Sequence, residues 1–166
     1  MNLYLLRHGK AAPQGSLGPD DKRPLTLEGE QIVKRVAQGM AAMELEFDLI
    51  LTSPLVRAAK TAEITARVLK TDKICTTPSL ACDGNPRKLI EEINDNFGTL
   101  ESVLIVGHEP YLAILMSVLI SGDQGARFEL KKSGLAKLHI ENLRFAKCAT
   151  LEWLLTPKQL QKLGKV

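Results

Sequence analysis

Two arginines and two histidines of this 166-residue chain stand in short polar segments, each where an apolar run stops. The segments are Arg7-His8-Gly9, Ser53-Pro54 leading to Arg57, and Gly107-His108-Glu109-Pro110. A guanidinium offers a planar fork of N–H donors that matches phosphate oxygens. A histidine titrates near neutrality, so a neutral ring nitrogen is available as a nucleophile. Together these four side chains would make a dianion site suited to phosphoryl transfer, where positioning and charge neutralisation do most of the work. Taken singly, His8 would read as a structural histidine at a strand end, the arginines as surface ion pairs and His108 as a helix cap. Their joint placement favours the site. His139 lies in an alternating, strand-like stretch without a motif and reads as structural. The three histidines lack metal-ligand spacing, so no metal is expected.

The elements that would carry these residues alternate between apolar runs and helical patterns, which points to an α/β fold with a mainly parallel sheet. Leu3 to Leu6 reads as a buried strand stopping at Arg7. Ala12 to Pro24, with Pro13, Gly15, Gly18 and Pro19, reads as a loop. Thr26 is placed to cap a helix running to about Glu44, with Glu28 and Glu30 in its first turn. Phe47 to Leu51 is a second strand. Ser53 at the cap and Pro54 at the first position predict a helix through Leu69. Lys73 to Leu80 reads as an edge strand, since it contains Pro78. A turn at Asp83-Gly84-Asn85-Pro86 precedes a helix over Arg87 to Asn94. Ser102 to Val106 is a further buried strand, followed by an apolar helix over Tyr111 to Ile120. Gly134 to Glu141 and Cys148 to Leu154 suggest a closing antiparallel pair, and Lys158 to Lys165 a basic amphipathic tail. Ligands of open α/β sheets bind outside the carboxyl ends of the strands. Parallel strands would therefore gather the three polar segments on one edge. Stripes at Ile32, Val36 and Met40 and at Leu112, Leu115 and Leu119 read as core faces.

Leu6-Arg7-His8-Gly9 resembles the signature of the histidine phosphatase superfamily, the phosphoglycerate-mutase-like enzymes. Ser53-Pro54-Leu55-Val56-Arg57-Ala58-Ala59-Lys60-Thr61 resembles its second motif, and Gly107-His108-Glu109-Pro110 its third, in the same order. Asp20-Asp21-Lys22-Arg23-Pro24-Leu25-Thr26 and the turn Leu80 to Pro86 resemble the SixA-type phosphohistidine phosphatases in particular. The chain departs from the pattern at Lys60, where the family usually has Gln, and at Cys82 and Asn85 in the turn.

The resemblance implies a three-layer α/β/α sandwich around the sheet, with residues 1–166 forming one domain. It implies that His8 attacks phosphorus and becomes phosphorylated, and that water then releases phosphate. Arg7 and Arg57 would hold the equatorial oxygens, and a protonated His108 would contact the same group. Arg23 would reach the phosphate from the loop. Asp20 is a candidate proton donor to the leaving group, with Asp21 and Asp83 as alternatives. Glu109 reads mainly as a charge at a helix N-terminus. The substrate expected is phosphohistidine on a partner protein, whose imidazole leaves easily once protonated. A small phosphorylated molecule, or a non-catalytic phosphate-binding module, is the competing reading. The short chain shows no closing insertion of the kind a mutase would need.

Composition narrows the remainder. Hydrophobic residues make up 45% and aromatic residues 4%, so the core must rest on aliphatic side chains. A net charge of +3 suits anionic substrates but is too small to argue for a nucleic-acid partner. The apolar runs fall short of a membrane span, and the N-terminal segment lacks signal-peptide features. Cys75, Cys82 and Cys148 have no C-x-x-C spacing and read as reduced thiols of a cytoplasmic protein. No cofactor is expected. The sequence leaves the oligomeric state open, with a monomer as the working expectation.

Overall fold

The computed structural model describes residues 1–15 and 18–165. Residues 16 and 17 of the expected loop lie outside the described residues. Strands are β1 (Asn2–Arg7), β2 (Leu49–Thr52), β3 (Ile74–Thr76), β4 (Ser102–Gly107), β5 (Leu135–Ile140) and β6 (Ala149–Leu155). Helices are α1 (Leu27–Ala42), α2 (Val56–Leu69), α3 (Pro86–Phe97), α4 (Tyr111–Ser121) and α5 (Pro157–Leu163). The described residues build one six-stranded sheet in the order β3-β2-β4-β1-β5-β6. The first four strands in that order are parallel, and β5 and β6 add an antiparallel pair. The mainly parallel α/β sheet expected from the sequence is therefore present.

The continuous apolar runs are explained by helices on both faces of the sheet. Successive residues of a strand point to opposite faces. Leu3, Leu5, Leu49, Leu51, Val103 and Ile105 accordingly join one core with Leu89 and Ile93 of α3 and Leu112, Leu115 and Leu119 of α4. Tyr4, Leu6, Ile50, Leu104 and Val106 join the other, with Val36 and Met40 of α1, Ala58 and Ala62 of α2 and Leu160 of α5. The C-terminal segment is thus more than a solvated basic face, because Leu160 is fully buried against α1.

Two boundaries differ from the sequence reading, each for a physical reason. The helix after β2 starts at Val56, with Leu55 rather than Ser53 at its cap. Leu55 has an extended backbone, so the helix cannot begin before Val56, although Ser53 Oγ still takes the Leu55 N–H at 3.3 Å. The edge strand is only Ile74–Thr76, because Thr77 turns the chain into a short 3-10 segment, accepting the Ser79 N–H on its side chain. Thr26 caps α1 as expected, taking the Gly29 N–H at 3.0 Å.

Candidate active site

Strand order decides which segments meet. β4 is flanked by β2 on one side and β1 on the other, all parallel. Gly107 and His108 therefore leave the sheet between the other two motifs. The ladder is tight up to that edge. His8 N–H donates to the Gly107 carbonyl at 3.0 Å, and Ser53 N–H donates to the Val106 carbonyl at 3.0 Å. The rings of His8 and His108 lie 5.0 Å apart, centroid to centroid.

His8 is buried, and its Nδ1 lies 2.7 Å from the carbonyl oxygen of Gly9. A carbonyl oxygen only accepts, so Nδ1 must carry the hydrogen. Nε2 is then left with its lone pair, the state a nucleophile requires. Burial pushes this imidazole down to about 3, and His108, Arg57 and Arg7 push in the same direction against the Gly9 bond. His8 is therefore neutral across the physiological range.

One hydroxyl joins the first two motifs. Thr61 Oγ1, fully buried in α2, accepts the Gly9 N–H at 3.1 Å and donates to the Arg57 carbonyl at 2.7 Å. Thr61 thus links the residue after the nucleophile to the arginine of the second motif. The sequence reading overlooked it, although it lies inside the second motif.

Arg57 is almost entirely buried, and its guanidinium grips the Asp20 segment. Nη1 donates to the Asp20 carbonyl at 2.7 Å and Nη2 to Asp20 Oδ2 at 2.9 Å. Arg23 pairs with Asp20 Oδ1 at 2.9 Å and donates to the Ala12 carbonyl at 3.0 Å. Arg7 donates from Nη1 to the Leu130 carbonyl at 2.9 Å. Nε of each of these three arginines is buried without a protein partner, as is Nδ1 of His108. Unpaired buried donors are rare, and a cluster of them marks a place meant for an acceptor. A tetrahedral oxyanion supplies several acceptors at once.

The structure brings Arg7, His8, Asp20, Arg23, Arg57 and His108 into one charged cluster: each of the three arginines influences His108 and Asp20 opposes them, while His108, Arg57 and Arg7 act on His8. Two expected roles change. His108 is pushed down to about 4 by burial first and by Arg57 next, so it is neutral rather than protonated at neutral pH. Asp20 is raised by desolvation, but Arg57 and then Arg23 outweigh that and hold its carboxyl below the ordinary range. An ionised carboxylate clamped by two arginines is a poor proton donor. Asp21 and Asp83, the alternatives, are exposed. Lys60 pairs with Glu63 at 3.3 Å on the outer face of α2 and takes no part. Cys82, read as an ordinary thiol, lies at the site with Sγ 3.7 Å from Arg57 Nη2. Glu109 shows a buried, unpaired Oε1, and burial raises its carboxyl against the pull of the Ala113 N–H and of Arg7. His139 is exposed on β5, away from this edge.

The sequence profile of the Histidine phosphatase superfamily (branch 1) matches residues 3–81. An uncharacterized protein of Picosynechococcus sp. is 36% identical over 139 residues, covering 83% of this chain and 84% of that one. The chain belongs to the histidine phosphatase superfamily. Within it, the phosphohistidine phosphatase SixA of Escherichia coli strain K12 is 26% identical over 164 residues, 97% of each chain. The structure of the protein histidine phosphatase SixA complexed with tungstate superposes with a TM-score of 0.83 at 25% identity, covering 96% of this chain and 99% of that one. The fold is thus phosphoglycerate-mutase-like and of the SixA type. Superfamily membership makes phosphoryl hydrolysis the chemistry to which the site geometry belongs.

Proposed function

We propose that the protein is a metal-independent phosphohistidine phosphatase that acts on a partner protein through a phospho-His8 intermediate. The observation that carries this reading is the Nδ1–H bond from His8 to the Gly9 carbonyl, which leaves Nε2 with its lone pair on a ring that feels the charges of Arg57 and Arg7. Nε2 attacks phosphorus, and the P–N bond of the substrate breaks as the substrate ring, protonated from solvent on its other nitrogen, departs as neutral imidazole. Water then attacks phospho-His8, releasing inorganic phosphate and restoring the lone pair. Arg7, Arg57 and Arg23 neutralise the phosphoryl oxygens, and Asp20 holds Arg57 and Arg23 in register. The absence of a well-placed protonated carboxyl at Asp20 suits an imidazole leaving group, which needs less help than an alkoxide. The likeness to SixA over the whole length of both chains supports the same substrate class.

Glu109 favours a second reading, a phosphatase of small phosphomonoesters. A half-buried carboxyl whose pKa is raised is the kind of group that protonates an alkoxide leaving group. One experiment separates the two readings. Phosphate release is measured from a phosphohistidine-bearing phosphotransfer protein and from an aryl phosphate, with wild type and His8→Ala in parallel and a chelator present throughout. Fast release from the protein, lost in His8→Ala, is the expected result. Release from the ester alone, lost in Glu109→Gln, would establish the second reading.

A further inference from the structure

We infer that Ser53 is a positioning residue that locks His108 in its Nδ1–H tautomer, so that a neutral His108 donates a hydrogen bond to the phosphoryl group. The inference deepens the proposed function and rests on its placing of the phosphate in this pocket.

The argument is an accounting of hydrogens at a buried pair. Ser53 is fully buried at the end of β2, and its Oγ lies 2.7 Å from His108 Nε2. That oxygen already accepts the Leu55 N–H at 3.3 Å. The Ser53 hydroxyl hydrogen still needs an acceptor, and among the described residues His108 Nε2 is the one within reach. If Ser53 donates, Nε2 is an acceptor and the ring hydrogen must sit on Nδ1. Every group of the pair is then satisfied except His108 Nδ1–H, which is buried without a partner. If the hydrogen sat on Nε2 instead, the Ser53 hydroxyl would be left unpaired in the interior. A bare lone pair at Nδ1 would then face any incoming phosphate oxygen. The first arrangement presents a donor to an anion, the second an acceptor.

The two histidines thereby become complementary. His8 faces a carbonyl, which fixes the hydrogen on Nδ1 and frees a lone pair at Nε2. His108 faces a hydroxyl, which takes up Nε2 and frees an N–H at Nδ1. With ring centroids 5.0 Å apart, one phosphoryl group can meet the lone pair through phosphorus and the N–H through an oxygen. This also removes a difficulty. A positive His108 so close to three arginines would be costly, and a neutral donor needs no charge.

The test is nitrogen NMR of histidine-labelled wild type, Ser53→Ala and Ser53→Thr at neutral pH, with and without inorganic phosphate. Turnover of an aryl phosphate is measured alongside. Wild type is expected to show His108 protonated at Nδ1 and bare at Nε2, with Nδ1–H shifting when phosphate binds. Ser53→Ala should lose the single tautomer and fall about tenfold to a hundredfold in kcat/KM, less than the roughly 10²–10³-fold lost when an oxyanion donor is removed outright. Ser53→Thr, which keeps the hydroxyl, should restore the tautomer. The wild-type spectrum decides even if a variant fails to fold: a hydrogen on Nε2 overturns the inference. Full retention of tautomer and turnover in Ser53→Ala also overturns it, as does phosphate that shifts His8 but leaves His108 unmoved. Phosphate that shifts neither histidine, at concentrations that inhibit turnover, would instead overturn the placing of phosphate in this pocket.

Discussion

His8 and Asp20 illustrate how a neighbour sets what a side chain can do. A free histidine loses its lone pair below about pH 6.5. Burial holds His8 near 3, so Nε2 stays available well into acid. The nucleophile's acid limb in kcat/KM, which reports the free enzyme, should therefore lie below about pH 5 rather than at 6.5. It is checked on an aryl phosphate whose own ionisation is corrected for. A limb that remains at 6.5 after that correction would mean that His8 is solvated and ordinary. Asp20 runs the other way. Clamped by Arg57 and Arg23, it is an ionised organiser. Asp20→Asn should then slow turnover by less than about tenfold, whereas loss of a true proton donor costs 10²–10⁴-fold. A thousandfold loss in kcat would restore the proton-donor role. Arg57→Lys keeps the charge but gives up the planar fork. It should weaken inhibition by inorganic phosphate at least about tenfold, read from the inhibition constant at fixed salt.

At the scale of elements, the site depends on two close approaches. Thr61 bridges Gly9 and Arg57 from inside α2. Thr61→Val keeps the shape and removes both bonds, leaving the Gly9 N–H buried and unpaired. A cost of about 1–3 kcal/mol is expected, read from the urea midpoint, with kcat falling as His8 loses its register. The second approach is at Gly29, where a Cβ would lie 2.1 Å from the Lys10 carbonyl oxygen, a backbone atom that cannot swing aside. That carbonyl also takes the Thr26 N–H at 2.9 Å, so α1 and the loop after His8 are joined there. Motif and pattern made the carriers of the site legible in the sequence: buried strands ending at Arg7 and Gly107, the Thr26 cap, the helix through Leu69. What stayed hidden was side-chain bonding between distant segments. Ser53 looks like a cap because serine before proline usually is one, and nothing in the local sequence says that His108, 55 residues on, takes its hydroxyl. Thr61 and Cys82 became site residues only once α2 and the turn after β3 were packed around Arg57. The expectation of a charged His108 overlooked the burial of its ring first and the nearby arginine charges next.

Across the whole molecule, a site built from buried neutral histidines makes the fold sensitive to acid. Both His8 and His108 refuse a proton that the unfolded chain accepts near pH 6.5. Stability rises with pH wherever the unfolded state binds more protons. It should therefore be full above about pH 7 and decline as pH falls from 6.5 toward 4. Each histidine contributes a slope of up to about 1.4 kcal/mol per pH unit over that range. Asp20, whose folded pKa is depressed, adds loss of the same sign only at lower pH. Glu109, whose folded pKa is raised, acts in the opposite direction, because the folded state takes its proton first. The window between pH 6.5 and 5 is thus governed chiefly by the two histidines. Urea unfolding at pH 7, 6 and 5 should show a falling midpoint, and His8→Asn, which removes one of the two titrations, should roughly halve the fall. Inorganic phosphate should raise the midpoint of the wild type at every pH, since a ligand that binds only the folded state stabilises it by mass action. A midpoint that stays level from pH 7 to 5 in the wild type would show that the unpaired N–H groups of the site are hydrated well enough to let the histidines titrate normally. The neutral pair on which the proposed chemistry depends would then be lost.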